Sequence, residues 1–397
     1  MTLLIDVLGF GLIIPILPKL VTQMAANNPA NAAREFGMLI SCFGLMQFIS
    51  SPFLGNLSDR FGRRPVLLLS LLFTCVDYVI MATAPNIAWL FLGRILSGIT
   101  SASFTVASAY IADVSPPEKR AQSYGIIGAA FGAGFVLGPA AGGILGHIST
   151  RLPFWCAAVL SLINFLYGTF ILPESLDKSN RRSVNLRQLN PVRGLNILTK
   201  YRWVLLFAGA LVLIGLAQQC LQSTWVLYTS YKFKWTPTQN GMSLALIGVM
   251  SILVQLVVLP KVVRVTGDAR TVLIGFVFNI VGFMGIALSA DSRWMIVTLI
   301  IWSLSGISGP TMQGLLSKQF PSNEQGAIQG ALTSLQSVTA IVGPLVATYV
   351  FAYFTSINSP RRLPGSPFLL GAMLNALAVV VAYQALSLRA KSLATEP

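Results

Sequence analysis

Three ionisable side chains lie inside long apolar stretches of this 397-residue chain: Asp6, Asp77 and Arg94. A charge in hydrocarbon is costly, so a residue of this kind faces a cavity or a partner. Desolvation opposes the ionised form of a carboxylate, which suits a reversible proton carrier. Asp77 stands eleven residues from the start of its stretch (66–84) and seven from its end, too deep for so short a side chain to reach water. Arg94 is placed to pair with a carboxylate or to touch a substrate. The alternative is a structural, hydrogen-bonded role for each, and for Asp6, near the start of its stretch, an interfacial one.

A second constellation is Gly55-Asn-Leu-Ser-Asp59-Arg60-Phe-Gly62-Arg63-Arg64-Pro65. It combines a glycine turn, an acid near a helix end, and arginines able to bridge to that acid or to neighbouring helices. A third is glycine-rich: Gly128, Gly132, Gly134, Gly138, Pro139, Gly142, Gly143 and Gly146. Gly134, Gly138, Gly142 and Gly146 recur every fourth residue and fall on one helix face. Small residues at that spacing let two helix backbones approach. Gln47, Gln218, Gln222, Trp225, Asn279 and Gln313 are candidates for lining a mostly apolar cavity with a few polar groups. Each would serve equally as an interhelical hydrogen bond or interface anchor. The four cysteines sit in apolar runs without metal-ligand spacing, and no metal site is expected.

The elements that must carry these residues follow from composition. Charged residues are 10% of the chain and apolar ones 54%, with a mean hydropathy of +0.73. Soluble domains are about 25% charged. A cytosolic enzyme, a disordered chain and a disulfide scaffold are excluded, and unbroken apolar runs argue against a β-barrel. An all-α integral membrane protein remains. A span needs about 20 apolar residues, and the chain offers twelve such runs. They cover 2–22, 36–56, 66–84, 87–112, 122–146, 153–172, 203–229, 239–259, 271–289, 293–317, 326–350 and 366–388. The polar interval 173–202 divides an N-terminal six-helix half (1–172) from a C-terminal one (203–388), leaving a short tail, 389–397.

The net charge of +15 would suggest nucleic-acid binding in a soluble protein. Here the basic residues sit in short loops, so no nucleic-acid partner is expected. With the N-terminus placed inside, 18 of the 27 Lys and Arg fall on the cytoplasmic side and 8 on the other. That bias predicts that both termini and the linker are cytoplasmic. The halves read as copies. At an offset of 205 residues Gly62 falls on Gly267, Pro116 on Pro321, Gly125 on Gly330, and Gly138-Pro139 on Gly343-Pro344. Parallel repeats predict a substrate site near the bilayer midplane.

The loop at 55–64 resembles the signature loop of the major facilitator superfamily, G-x-L-x-D-R-x-G-R-R, at every defined position. Gly134 to Gly143 resembles the G-x-x-x-G-P-x-x-G-G motif of its drug/proton antiporters. Asp6 to Pro18, Gly55 to Ser70 with Asp77-Tyr78, Gly93 to Thr100, Thr224 to Leu227, Gln313-Gly314 and Glu324 to Gly330 are similar to the tetracycline/proton antiporters of Gram-negative bacteria. The likeness runs through nearly the whole chain and is poorest in the central loop. It implies a major facilitator fold of twelve transmembrane helices, located in the bacterial inner membrane and acting as a monomer. It implies proton coupling through Asp6, Asp77 and Arg94, and a cytoplasmic latch formed by Asp59, Arg60, Gly62, Arg63 and Arg64. No cofactor is implied beyond the proton as coupling ion, with a metal–drug chelate among the possible substrates. Two departures stand out. The family commonly has an aspartate in span nine where this chain has Asn279, which puts tetracycline itself in question. The chain also starts almost inside its first span, so the native start is expected further upstream.

The resulting expectation is a secondary active transporter that exports amphipathic, tetracycline-like drugs in exchange for protons by alternating access. The alternative is a proton-coupled uptake system for a small nutrient or metabolite. A nucleotide-driven pump would need G-x-x-x-x-G-K-[ST], and an intramembrane enzyme H-E-x-x-H or G-x-S-x-G. None is present.

Overall fold

The computed structural model describes residues 1–101, 103–116, 120–177, 181, 198, 202–317, 322–357 and 359–395. Of the expected basic loop residues, Lys119, Lys178, Arg182, Arg187, Arg193, Lys200 and Lys318 lie outside them, as does Pro321. So do the side chains of Arg120, Glu324, Gln325, Arg389 and Lys391.

Hydrocarbon offers a backbone no hydrogen-bond partner, so an apolar chain must satisfy its amides within helices. The described residues are helical nearly throughout, and no strand occurs among them. The first helices are α1 (Thr2–Ile13), α2 (Leu17–Met24), α3 (Pro29–Phe61), α4 (Arg63–Thr83), α5 (Ile87–Thr100), α6 (Ser103–Val114), α7 (Arg120–Ile148) and α8 (Leu152–Phe170). After the linker come α9 (Arg202–Lys232), α10 (Pro237–Leu253), a π turn (Val254–Val258), α11 (Leu259–Leu288) and α12 (Ser292–Ser303). A 3₁₀ turn (Leu304–Ile307), α13 (Ser308–Ser317), α14 (Ser322–Thr355) and α15 (Ser366–Thr395) complete the order.

Short polar side chains start several helices. Asn28 accepts from the amides of Ala30 at 3.0 Å and Asn31 at 3.2 Å, and Asp291 from those of Arg293 and Trp294, both at 2.9 Å. Each satisfies amides that an open helix end leaves bare. Gly62 and Gly267 supply the sharp breaks, at φ 110° and 76°. A side chain disfavours that region. They are the positive-φ glycines among the described residues, and they are the pair related by the 205-residue offset. Pro139 and Pro344, related in the same way, both lie inside helices.

Among the described residues ten segments are long and apolar enough to cross a membrane, where the sequence predicts twelve. Two features account for the difference. The segment Pro237–Leu288 runs for 52 residues, about 78 Å as helix at 1.5 Å per residue. Gly267 breaks it with a non-helical φ of 76° and ψ of 165°. The fourth expected span is divided into α5 and α6, with Ser101 outside helical geometry at ψ 77°. Apolar side chains such as Ile49, Phe53, Leu137, Val277, Val346 and Tyr383 stand exposed on the long helices. Such surface is what a bilayer covers, and the chain is a multi-pass membrane protein.

By contact the chain forms two compact units, Met1–Asn190 with Lys234–Gly248, and Pro191–Phe233 with Val249–Pro397. In the first, α1 packs on α7 and α8, α4 on α5 and α8, and α3 on α5. In the second, α9 packs on α14 and α15, and α11 on α12, α13 and α15. Phe207, Val272, Phe276, Ala378 and Ala382 lie in its core.

The glycine stripe explains how closely α1 and α7 meet. A Cβ on Gly138 would lie 2.7 Å from the Gly11 Cα, and one on Gly134 would lie 2.7 Å from Val7 Cγ1. Gly142 would press on the Leu12 carbonyl, and Gly146 on Ile16. Gly143 faces the start of α10 instead, where a Cβ would fall 3.1 Å from the Gly241 Cα. Gly128 has no neighbour among the described residues within 4 Å of that position. Gly142→Ala should therefore destabilise the protein by about 1–3 kcal/mol, the usual cost of overpacking, while Gly128→Ala leaves it unharmed. Thermal unfolding of both purified variants in detergent checks this, and equal melting temperatures would contradict it.

Candidate functional site

Asp77 of α4 and Arg94 of α5 are 0% and 5% exposed. They form a buried ion pair in which Arg94 Nη2 donates to Asp77 Oδ2. The surrounding sequence makes room for it. Beside Arg94, Gly93 presents bare backbone to the acid, and a Cβ there would sit 2.5 Å from Asp77 Oδ1. Gly98 lets α5 lie on α3, with its Cβ position 2.8 Å from the Phe43 carbonyl oxygen. The Phe43 ring then approaches Arg94 Cζ to 5.1 Å, a cation–π contact. Asp6 lies half-buried on α1. That helix reaches α4 at Gly9, whose Cβ position is 3.5 Å from Tyr78.

The pair uses one oxygen and one nitrogen. Asp77 Oδ1 and Arg94 Nε are buried without a hydrogen-bond partner. A bidentate fork would use both oxygens. Oδ1 instead faces the bare backbone of Gly93, and the contact with Arg94 is made through Oδ2 alone.

At the junction of α3 and α4, Arg63 joins three groups. It pairs with Asp59, approaches Asp113 Oδ2 of α6 with Nε at 3.1 Å, and donates to Ser58 Oγ at 2.7 Å. Arg64 donates to the Thr169 carbonyl of α8, and Arg60 lies 5.2 Å from the Phe61 ring centroid. Glu174, which sequence reasoning did not single out, sits at the centre. Its carboxylate accepts from the amides of Arg63 at 2.8 Å and Arg64 at 3.3 Å. It also accepts from those of Ser175 at 3.0 Å and Leu176 at 3.1 Å. The sequence signal was slight, one acid directly after Pro173.

In the second unit Asn279 of α11 is 5% exposed. Its Oδ1 accepts from Trp302 Nε1 of α12 at 2.9 Å, and its Nδ2 donates to Asn375 Oδ1 of α15 at 3.0 Å. Asn375 in turn donates to the Gly371 carbonyl at 2.8 Å. Gly282 admits the indole, since a Cβ there would lie 2.5 Å from Trp302 Cβ. Asn279 thus bridges three helices. Asn375, its partner, was not singled out by sequence reasoning either. Of the other cavity candidates, Trp225 is buried in α9, Gln218 is half-buried, and Gln222 and Gln313 are exposed. Gln47 donates to Ser101 Oγ at 3.0 Å. No cluster of metal-ligating side chains occurs among the described residues.

Comparison with known proteins places this geometry in context. Residues 1–344 and 208–393 match the Major Facilitator Superfamily profile. The chain is 39% identical over 357 residues to the class C tetracycline resistance protein of Escherichia coli, covering 88% of each chain. It is 34% identical to the class H tetracycline resistance protein of Pasteurella multocida, covering 96% of this chain and 93% of that one. Among solved structures, the human organic anion transporter MFSD10 (TETRAN) superposes with a TM-score of 0.69 at 23% identity, over 96% and 97% of the two chains.

Two outcomes follow for the buried polar groups. Removing one member of a buried ion pair strands the other charge and costs about 3–5 kcal/mol. Asp77→Asn and Arg94→Gln should each destabilise strongly, and the double variant by less than their sum. A double-mutant cycle on detergent-solubilised protein checks this, and additive losses would show that the pair is not coupled. Asn279→Asp should become pH-sensitive. The protonated acid reproduces both amide hydrogen bonds, donating to Asn375 and accepting from Trp302, whereas the ionised acid cannot donate. Its melting temperature should match wild type in acid and fall as pH rises. A constant offset across pH would remove the triad from the explanation.

Proposed function

The chain belongs to the Major Facilitator Superfamily, and from that premise we propose that it exports amphipathic, tetracycline-like drugs in exchange for protons by alternating access. It is a transporter and not an enzyme. The observation that carries the proton-coupled reading is the Asp77–Arg94 pair, buried and with Oδ1 lacking a hydrogen-bond partner. Its support on the substrate side is the run of tetracycline resistance proteins among its relatives at 34–39% identity.

In this reading Asp77 is the exchangeable proton site and Arg94 its counter-charge. For exchange the proton and the drug must exclude one another: the ionised acid attracts a cationic or metal-chelated group of the drug, and a proton added at Oδ1 removes that negative charge and releases the group. Loss of the proton restores the carboxylate and lets the next drug bind. Asp6 is the second acid of the pathway. Asp59, Arg60, Gly62, Arg63 and Arg64 act as a conformational latch on the cytoplasmic side, where both termini also lie, and the membrane is the bacterial inner membrane. Gly134, Gly138, Pro139, Gly142 and Gly143 set the helix approach that the antiporter cycle uses. Asn279 contributes a neutral polar group on the drug side of the second half, and the proton is the sole coupling ion.

Inverted vesicles carrying the protein should accumulate tetracycline when a pH gradient is imposed, and tetracycline should collapse part of that gradient. Asp77→Asn should abolish both when the vesicles are matched for the amount of folded transporter. Wild-type vesicles that take up drug without proton movement would overturn the exchange, and an Asp77→Asn variant that transports normally would overturn the assignment of Asp77. A drug panel on an efflux-deficient host that shows resistance to other amphiphiles but not to tetracyclines would move the substrate away from that class.

A further inference from the structure

The linker that follows α8 is fastened at three points, two on α6 and one on the start of α4. The Tyr110 hydroxyl of α6 donates to the Pro173 carbonyl at 3.0 Å. Ser175 Oγ donates to Asp113 Oδ2 at 3.2 Å, the same oxygen that faces Arg63 Nε at 3.1 Å. Between them Glu174 caps the first turn of α4 from 110 residues away in sequence, through the amides of Arg63 and Arg64. The first amides of a helix have no partner of their own, and an acid there also complements the helix dipole. A cap normally comes from the residue just before the helix. Here that residue is Gly62, which has no side chain to offer. The vacancy it leaves is the space Glu174 fills, since a Cβ on Gly62 would lie 2.8 Å from the Glu174 Cδ.

The second half shows what the junction looks like without this arrangement. Gly267, the counterpart of Gly62, has no neighbour among the described residues within 4 Å of its Cβ position. The residue at the same offset from Glu174 is Val379, inside α15. Glu174 is therefore a feature of the first half alone.

We propose that Glu174 is a positioning residue of the transport cycle: it docks the start of the linker on α4 and so holds Arg63 between Asp59 and Asp113. Two carboxylates and a hydroxyl converge on one guanidinium, and the amide of that same arginine is gripped by Glu174. Moving the linker therefore moves the arginine. The proposal rests on the exporter reading for its functional half only, because the docking itself is a property of this unit.

The test compares Glu174→Ala, Glu174→Asp and Gly62→Ala in full-length protein in proteoliposomes. Hydrogen exchange at the amides of Arg63 and Arg64 reads the docking directly. It should quicken at least tenfold in Glu174→Ala and in Gly62→Ala, and be partly restored in Glu174→Asp. Turnover of tetracycline should fall about tenfold in Glu174→Ala, with the equilibrium Kd for the drug within twofold and membrane abundance unchanged. Unchanged exchange at both amides would overturn the docking. Faster exchange with wild-type turnover would overturn the positioning role, as would a loss of turnover matched by an equal loss of abundance. A wild-type protein that moves no drug would sink the exporter reading by itself, and the exchange rates would still decide whether Glu174 docks the linker.

Discussion

One ion pair sets the terms for the first unit. Asp77 and Arg94 are the buried charged side chains among the described residues, and each would be costly in hydrocarbon without the other. Their meeting fixes the rotation of α4 against α5, because turning either helix would bury a bare charge against apolar neighbours. The surrounding residues follow from that requirement. Gly93 removes the side chain that would collide with the acid, and Gly98 brings α3 close enough for Phe43 to face the guanidinium. Ser70 on α4 donates to the Thr100 carbonyl at 2.5 Å, tying the same two helices one end further along.

The glycines of α7 solve a related problem between α1 and α7. A glycine inside a helix costs about 1 kcal/mol against alanine, and in lipid there is no hydrophobic drive to bring helices together. Close backbone approach must then supply the attraction. The residues spaced by four do so, with Gly138 facing Gly11 across the contact. Gly143, one residue round the helix, serves a different neighbour, Gly241 of α10. That second use explains why the motif ends in two adjacent glycines when a stripe needs only one.

Much of the fold was legible because the bilayer is an exacting solvent. Long uncharged runs have one outcome there, and Gly62 and Gly267 break the helices at the positions that the 205-residue repeat brings together. The division of the fourth run into α5 and α6 was not legible, since no proline marks it and a run of Thr, Ser and Ala reads as helix. The site was legible one residue at a time. Composition singles out Asp77 and Arg94 as misplaced charges, but which atom faces which depends on helix rotation. Glu174 and Asn375 escaped because their meaning is tertiary. An acid after a proline looks like any loop residue, and a lone asparagine in an apolar run gives no hint of the amide it meets 96 residues away.

The two halves, related in sequence by the 205-residue offset, differ in the kind of polarity they bury. The first holds an ion pair with one oxygen lacking a hydrogen-bond partner; the second holds two amides and an indole, joined Trp302 to Asn279 to Asn375 to the Gly371 carbonyl. These solve the same problem of keeping helices registered in lipid, but they answer protons differently. A chain of amides and indole carries no charge, so it is cheap to bury, and nothing in it titrates between acid and neutral pH. An ion pair is expensive to bury, and protonating its acid removes the term that justified the burial. The junction loops diverge in the same direction. At the 205-residue offset Arg264 stands where the first half has Asp59, and Asp268 where it has Arg63, so the order of charges is reversed. With no counterpart of Glu174, Gly267 meets none of the described residues within 4 Å of its Cβ position. Among the described residues the buried ion pair and the contacts of Glu174 with α4 thus belong to one unit, and the buried chain of amides and indole to the other.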